Sequence, residues 1–277
     1  MFEWSGGEGI DEMRIMVTND DGIGSSGLRT LARQLHAAGY EIEVAAPLTD
    51  HSGSGSSLGT LEHGAEIAYQ ETRFPELPEV RVIGFDAPPA FGVMAYRFGL
   101  FGPPPELVVS GVNPGHNTGR LVLHSSTVGA ALCATALGLR AVAVSCGFAP
   151  VHRFDTAAAV AVAAVGWLAD RPEPTMLNLN VPDVELQEIK GVRTTTLAPR
   201  GLMGLSLERS TEAIRLLRFD NTERLGVGTD SAAVRDGFVA LSVLRGVATE
   251  SGPDGHDAAS AIEDTLLGRP LPVSAHD

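Results

Sequence analysis

Two adjacent carboxylates, Asp20 and Asp21, follow the apolar run Ile15-Met16-Val17 and precede Gly22. Such a run reads as a buried strand, and the glycine lets the backbone turn away from its end. Two acids placed side by side repel each other unless a cation or a shared proton offsets the charge. A hard divalent metal, which favours oxygen ligands and often holds a phosphate, is one answer. Asn19-Asp20-Asp21-Gly22 is also good turn chemistry, and these residues alone leave both readings open.

Two further polar loops could share a site with the acid pair. Thr49-Asp50-His51-Ser52-Gly53-Ser54-Gly55-Ser56-Ser57 offers hydroxyls and backbone N–H donors, although a plain surface loop has the same composition. In Ser110-Gly111-Val112-Asn113-Pro114-Gly115-His116-Asn117-Thr118-Gly119, glycine and proline punctuate two asparagines. Asn113 and Asn117 can each present a carbonyl oxygen to a metal or an amide to a phosphate. Next, Ser125, Ser126 and Thr127 open a helical stretch, and free N–H groups at a helix start form a natural anion seat. Simple N-capping would account for one of those hydroxyls. His51, His116 and His124 lie near these loops. Histidine titrates near neutrality, so each could protonate a leaving group or could simply pack.

The surrounding elements must bring the loops together. Leu28, Leu31, Ala32 and Leu35 keep helical spacing behind Ser25 and Ser26, and Gly39 stops that helix. Glu41–Ala46 reads as a second strand, which makes a strand-helix-strand unit and favours a parallel sheet. Leu107–Ser110, Ala141–Ser145 and Met176–Val181 read as further strands. Helices are expected from about 126 to 137 and from 156 to 170. Strands alternating with helices predict a three-layer, Rossmann-like α/β/α core over 14–190, and loops at the carboxyl ends of its strands would share one rim. Past 190 the character changes. Gly191–Leu197, Ile214–Phe219 and Phe238–Leu244 look like strands without a strong amphipathic helix between them, which suggests a β-hairpin extension over 191–250 for oligomerisation. Residues 251–277 read as a tail. Residues 1–13, with four acids and no apolar core, read as a disordered extension rather than a signal peptide.

Twenty basic and 34 acidic side chains leave a formal charge of −14, which argues against a nucleic-acid duplex or an anionic membrane surface as partner. A small phosphorylated ligand remains compatible, because a metal can neutralise it locally. The longest apolar stretch, Ala157 to Leu168, is too short to cross a bilayer. Cys133 and Cys146 have no metal-type spacing and read as buried thiols of a reducing cytoplasm.

Four motifs in order resemble the SurE family (survival protein E) of metal-dependent nucleotidases: Val17-Thr18-Asn19-Asp20-Asp21-Gly22, Ala46-Pro47 with His51-Ser52-Gly53-Ser54, Ser110–Asn117, and Ser126-Thr127-Val128-Gly129-Ala130-Ala131. Leu177–Pro182, Thr229-Asp230 and Asp236–Val239 extend the resemblance. It implies hydrolysis of nucleoside monophosphates, with one Mg²⁺ or Mn²⁺ per subunit held by Asp20, Asp21, Ser52 and Asn113. It implies that Asn117 and Ser125–Thr127 lie beside the phosphate, and that hairpins exchanged between subunits build a homodimer or homotetramer. This chain departs from the family pattern at His124 and Ser126, where the family carries tyrosine and glycine, at Cys133-Ala134, and at Phe85–Pro89. A nucleoside monophosphate is the default substrate, and those changes keep open the alternative of a specialised biosynthetic phosphate ester, or of a non-catalytic nucleotide- or phosphate-binding module.

Overall fold

In the computed structural model, which describes residues 13–148, 152–221, 225–248, 258–260 and 262–263, each sequence-read element of the first half is found. In chain order these are β1 (Arg14–Thr18), α1 (Ser26–Ala37), β2 (Glu41–Pro47), β3 (Tyr69–Phe74), β4 (Leu77–Phe85) and α2 (Pro89–Arg97). Next come β5 (Leu107–Pro114), α3 (Ser126–Ala136), β6 (Arg140–Cys146), α4 (Phe154–Ala169) and β7 (Met176–Asn180). The last are β8 (Val192–Thr194), β9 (Met203–Arg209), β10 (Ile214–Asp220), α5 (Asp230–Arg235) and β11 (Val239–Leu244).

One sheet runs β3-β4-β2-β1-β5-β6-β7-β11-β8. From β4 through β7 the neighbours are parallel, while β3 and β11 are antiparallel to β4 and β7. Side-chain alternation sorts the core into two slabs. Ile15, Val17, Leu107, Val109, Val142 and Val144 face α1 and α4, meeting Leu28, Leu31, Leu35, Ala161 and Val165. Met16, Val108, Ala141 and Ala143 face α2 and α3, meeting Val93, Val128, Ala131 and Ala134. The architecture is the expected three-layer α/β/α fold.

Only part of the 191–250 segment leaves the sheet. β9 and β10 pair with each other as a separate hairpin, from Met203↔Asp220 to Arg209↔Ile214. β11 instead returns to pair with β7, and β8 pairs with β11, so both belong to the main sheet. Their alternating apolar residues carry no mark of which edge they will join. The short helix α5, unforeseen from the sequence, is capped by the Thr229 hydroxyl, which accepts from the Ala232 N–H. Of the expected N-terminal extension, Met13 is buried in the core, and residues 1–12 lie outside the described part. In the expected tail, 258–260 and 262–263 are helical and exposed, and the remainder lies outside the described residues.

Candidate active site

β1 ends at Thr18, and Gly22, with φ of 97°, turns the chain toward α1. The turn is braced by Ile23 N–H donating to Pro47 O (2.9 Å) and Ser25 N–H donating to Gly22 O (3.1 Å). Asn19 faces inward, its amide donating to Ser25 Oγ (2.7 Å), while Ser25 caps α1 by accepting from Leu28 N–H. These bonds leave Asp20 and Asp21 at the carboxyl ends of the central strands, where ligands of open α/β sheets bind.

The serine-glycine loop and the start of α3 meet the acid turn there, and most of the expected ligand hydroxyls are already committed. Thr127 Oγ1 donates to Asp20 Oδ1 at 2.6 Å in a buried setting. Such a hydroxyl-to-carboxylate bond is charge-assisted and contributes about 1.5–3 kcal/mol. His51 N–H donates to the backbone oxygen of Asp20 (2.8 Å), pinning the serine-glycine loop to the acid turn. Ser126 Oγ donates to His51 O (2.8 Å) and accepts from Ser54 N–H (2.9 Å). Where the family pattern has glycine, this chain therefore carries a brace for the loop that bears Ser52. Ser125 Oγ caps α3 by accepting from Val128 N–H (3.1 Å). The Thr127 N–H also serves the Asp20 carboxylate, so what α3 retains for an anion is the Ser126 N–H and the positive end of its dipole. Ser52 itself is exposed, and its N–H donates to Asp50 Oδ1 (2.7 Å).

In the third loop, Asn113 Nδ2 donates to Gly115 O (2.7 Å), which leaves its carbonyl oxygen as the uncommitted end. Asn117 Nδ2 donates to Ser145 Oγ (2.9 Å). The backbone oxygen of Asn117 accepts from both Asn178 Nδ2 and Asn180 Nδ2, each at 3.0 Å. These two buried asparagines, on one face of β7, are supports that residue-level reading did not identify. Asparagine alternating within an apolar strand was the available signal. Asp230, also unassigned from residue chemistry, is fully buried; its carboxylate accepts from Gly119 N–H (2.8 Å) and Ala198 N–H (3.0 Å). It ties the end of the third loop to the chain leading into the hairpin.

The histidines separate. His116 Nε2 lies 2.8 Å from Val181 O, its ring meets Phe148 edge-on, and burial lowers its pKa. A neutral imidazole whose N–H is given to a backbone carbonyl is a packing group, which argues against its use as general acid. His124 is exposed beside the α3 cap.

Acids outnumber bases at the site, although Arg218 of the hairpin acts on Asp50. Burial raises the Asp20 carboxyl, with the Thr127 hydroxyl opposing and Asp50 adding to the rise. Asp21 is pushed up to about 7 by burial, then by Asp20 and Asp50. Asp50, a third acid that sequence reading placed in the loop but gave no role, is lowered by its bonds from Ser52. Asp21 Oδ2 is buried without a hydrogen-bond partner, and neither Asp20 nor Asp21 forms an ion pair among the described residues. No three of His, Cys, Asp and Glu gather as a metal set among those residues. Two acids with serine and asparagine oxygens are instead a hard-cation set, and they fit Mg²⁺ or Mn²⁺.

This charge has a stability consequence. Between the ordinary carboxylate pKa of the unfolded chain and about 7, the folded protein holds a proton on Asp21 that the unfolded chain has lost. Stability must fall as pH rises through that window. The Tm of EDTA-treated protein is expected to drop by roughly 5 °C between about pH 5 and pH 8. Mg²⁺ at the higher pH should restore it, and Asp21→Asn should flatten the slope. A Tm that rises over this range, or a slope that Asp21→Asn leaves unaltered, would contradict the charge reading.

Comparison with known proteins converges on one family. The family model described as Survival protein SurE matches residues 15–203. The 5'-nucleotidase SurE of Stenotrophomonas maltophilia is 38% identical over 242 residues, which cover 84% of this chain and 90% of that protein. The 5'/3'-nucleotidase SurE of Erwinia tasmaniensis is 37% identical over 84% of this chain and 90% of its own length. Among solved structures, the SurE protein from Aquifex aeolicus superposes with a TM-score of 0.74 at 27% identity, covering 91% of this chain and 100% of that one.

Proposed function

This chain belongs to the SurE family, and from that membership we propose that it is a divalent-metal-dependent phosphomonoesterase that cleaves nucleoside monophosphates to nucleoside and phosphate. The observation that carries the chemistry is the Asp20–Asp21 doublet beside the start of α3, with Asp20 buried and the Asp21 Oδ2 atom enclosed without a hydrogen-bond partner. Asp20, Asp21, Ser52 and Asn113 would hold one Mg²⁺ or Mn²⁺, whose charge offsets the acids, polarises the phosphoryl group and lowers the pKa of bound water. The protein's own part is positional and electrostatic. Thr127 fixes the rotamer of Asp20 through its 2.6 Å bond. Ser126 holds the loop that presents Ser52. The Ser126 N–H at the start of α3 would face phosphate oxygens that gain charge in the transition state. Asn117 and its buried supports hold the rim opposite. Asp21 Oδ2, lacking a partner, is the oxygen available to take the proton of the attacking water. His124 is the remaining candidate to protonate the departing alkoxide.

The hairpin supports an oligomeric reading. Leu205, Leu207, Ile214, Leu216 and Phe219 are exposed along β9 and β10, and a lone two-stranded ribbon is marginal in water. Covering it in a homodimer or homotetramer would bury that surface. The strongly acidic chain suits a cytoplasmic enzyme acting on small molecules rather than on a duplex. Among the described residues no helix is long and apolar enough to cross a membrane.

Phosphate release from nucleoside 5'- and 3'-monophosphates tests the proposal. Activity should vanish with EDTA and return with Mg²⁺ or Mn²⁺. Full activity in EDTA would refute the metal. Nucleotide binding without turnover across a broad phosphomonoester panel would establish the non-catalytic alternative.

A further inference from the structure

The hairpin is rooted in the third loop of the candidate site. Leu202 N–H donates to Thr118 Oγ1 at 3.0 Å, one residue beyond Asn117. Gly119 and Gly201 pack so closely that a Cβ on Gly119 would lie 2.5 Å from Gly201 N. Asn221 closes the base of the two strands, its N–H donating to Leu202 O (2.7 Å) and its Nδ2 to Gly201 O (3.2 Å). The hairpin thus rises from the rim that carries Asn113 and Asn117.

Register decides which side chains this rooting aims at the site. Residues directly opposite in an antiparallel pair share a face. Arg218 lies opposite Leu205, on the face of Leu207 and Leu216, whereas Arg215 lies opposite Glu208 on the other face. Three residues separate Arg218 from Asn221, roughly 10 Å along the strand. The Arg218 charge acts on Asp50, whose carboxylate accepts from Ser52 N–H at 2.7 Å. This face of the hairpin therefore looks toward the loop that His51 pins to the acid turn. Arg218 is exposed and forms no ion pair within 4 Å among the described residues.

The charge at the site calls for such a group. A divalent cation would offset two of the three carboxylates of Asp20, Asp21 and Asp50, and a phosphate monoester arriving as a dianion would still meet the third. A guanidinium is always charged, and its planar fork matches a pair of phosphate oxygens. We propose that Arg218 is a substrate-binding residue, carried by the hairpin to the mouth of the site to pair with the phosphate dianion. The hairpin then serves the active site as well as any contact it makes with a second subunit. The assignment rests on the phosphomonoesterase reading of the acid doublet.

Hydrolysis of p-nitrophenyl phosphate with Mg²⁺ at low salt is the test. Arg218→Gln should raise KM about tenfold and leave kcat within about twofold of the wild type, and Arg218→Lys should recover most of the loss. Arg215→Gln, which takes the same charge from the opposite face, should leave KM unchanged. Raising the salt to about 0.5 M should raise the wild-type KM and alter that of Arg218→Gln little. An unchanged KM in Arg218→Gln, or an equal rise in Arg215→Gln, would overturn the proposal. A rise that Arg218→Lys shares, together with a changed oligomeric state, would do the same, since it assigns the residue to subunit contact. If the wild type does not cleave the ester, the phosphatase reading fails instead. Calorimetry with inorganic phosphate and Mg²⁺ then decides Arg218 alone. Binding weakened about tenfold in Arg218→Gln supports the proposal, and binding equal in both proteins, or absent from both, refutes it.

Discussion

Asp20→Asn is expected to lower kcat/KM for phosphate-ester hydrolysis by about a thousandfold or more while leaving the metal-free fold as stable as the wild type or more so. The two halves of this prediction have one cause. Asp20 is 3% exposed and lies close to two other acids, so burial opposes its charge. An amide keeps an acceptor for Thr127 Oγ1 and removes the buried charge, which relieves the fold. It also removes half of the doublet that makes a cation welcome. Activity, metal affinity by titration calorimetry, and the Tm of EDTA-treated protein should be measured together. A loss of activity accompanied by a lower metal-free Tm would mean that Asp20 is chiefly structural. Near-normal activity would remove it from the proposed metal set.

Gly129→Ala should have the second largest effect, through displacement rather than chemistry. A Cβ at Gly129 would lie 2.3 Å from Gly55 O and 2.4 Å from Gly55 C. Those are backbone atoms, so no rotamer change can make room. The loop from His51 to Ser56 would have to lift off α3, stretching the bonds from Ser54 to Ser126 and from Ser56 to Gly129 O. Misplacing a reacting group by about 1 Å costs on the order of a hundredfold, and that is the expected fall in kcat/KM. Overpacking adds roughly 1–3 kcal/mol of destabilisation. Metal affinity should weaken with activity, because Ser52 rides on the displaced loop. An alanine variant with normal turnover would show that this loop does not position the site.

The acid pair was legible because the local signals agree: an apolar strand, two acids, then a glycine that takes a positive φ. The α/β/α core was legible for the same reason, since strands β1, β2, β5, β6 and β7 are buried on both faces and read as continuous apolar runs. β3 and β4 escaped because β3 is an exposed edge strand, Tyr69-Gln70-Glu71-Thr72-Arg73, with no apolar face to announce it. α2 escaped because it opens on two prolines and lacks a clear polar face. At the site, residue types were legible and their partners were not. Thr127, Ser125 and Ser126 read as hydroxyl donors to phosphate, whereas the fold uses all three to brace an acid, a helix and a loop. That assignment depends on which partner lies within hydrogen-bond reach, and spacing along the chain does not encode it. Asp230 lies 111 residues from Gly119, and only tertiary structure brings its carboxylate to that N–H.

The antiparallel return of β11 fixes the order in which the protein can be completed. β7 is buried along its whole length, and β11 is the strand that covers its outer side. A growing chain makes β7 more than fifty residues before β11, with the entire hairpin between them. Throughout that interval a strand carrying Met176, Leu177 and Leu179 presents unpaired N–H and C=O groups along one edge, the kind of edge that recruits foreign strands. Trimming the chain after the hairpin would make the interval permanent. β11, the last strand among the described residues, is therefore the one that closes an adhesive edge, so the protein passes through its most aggregation-prone stage just before that strand is made.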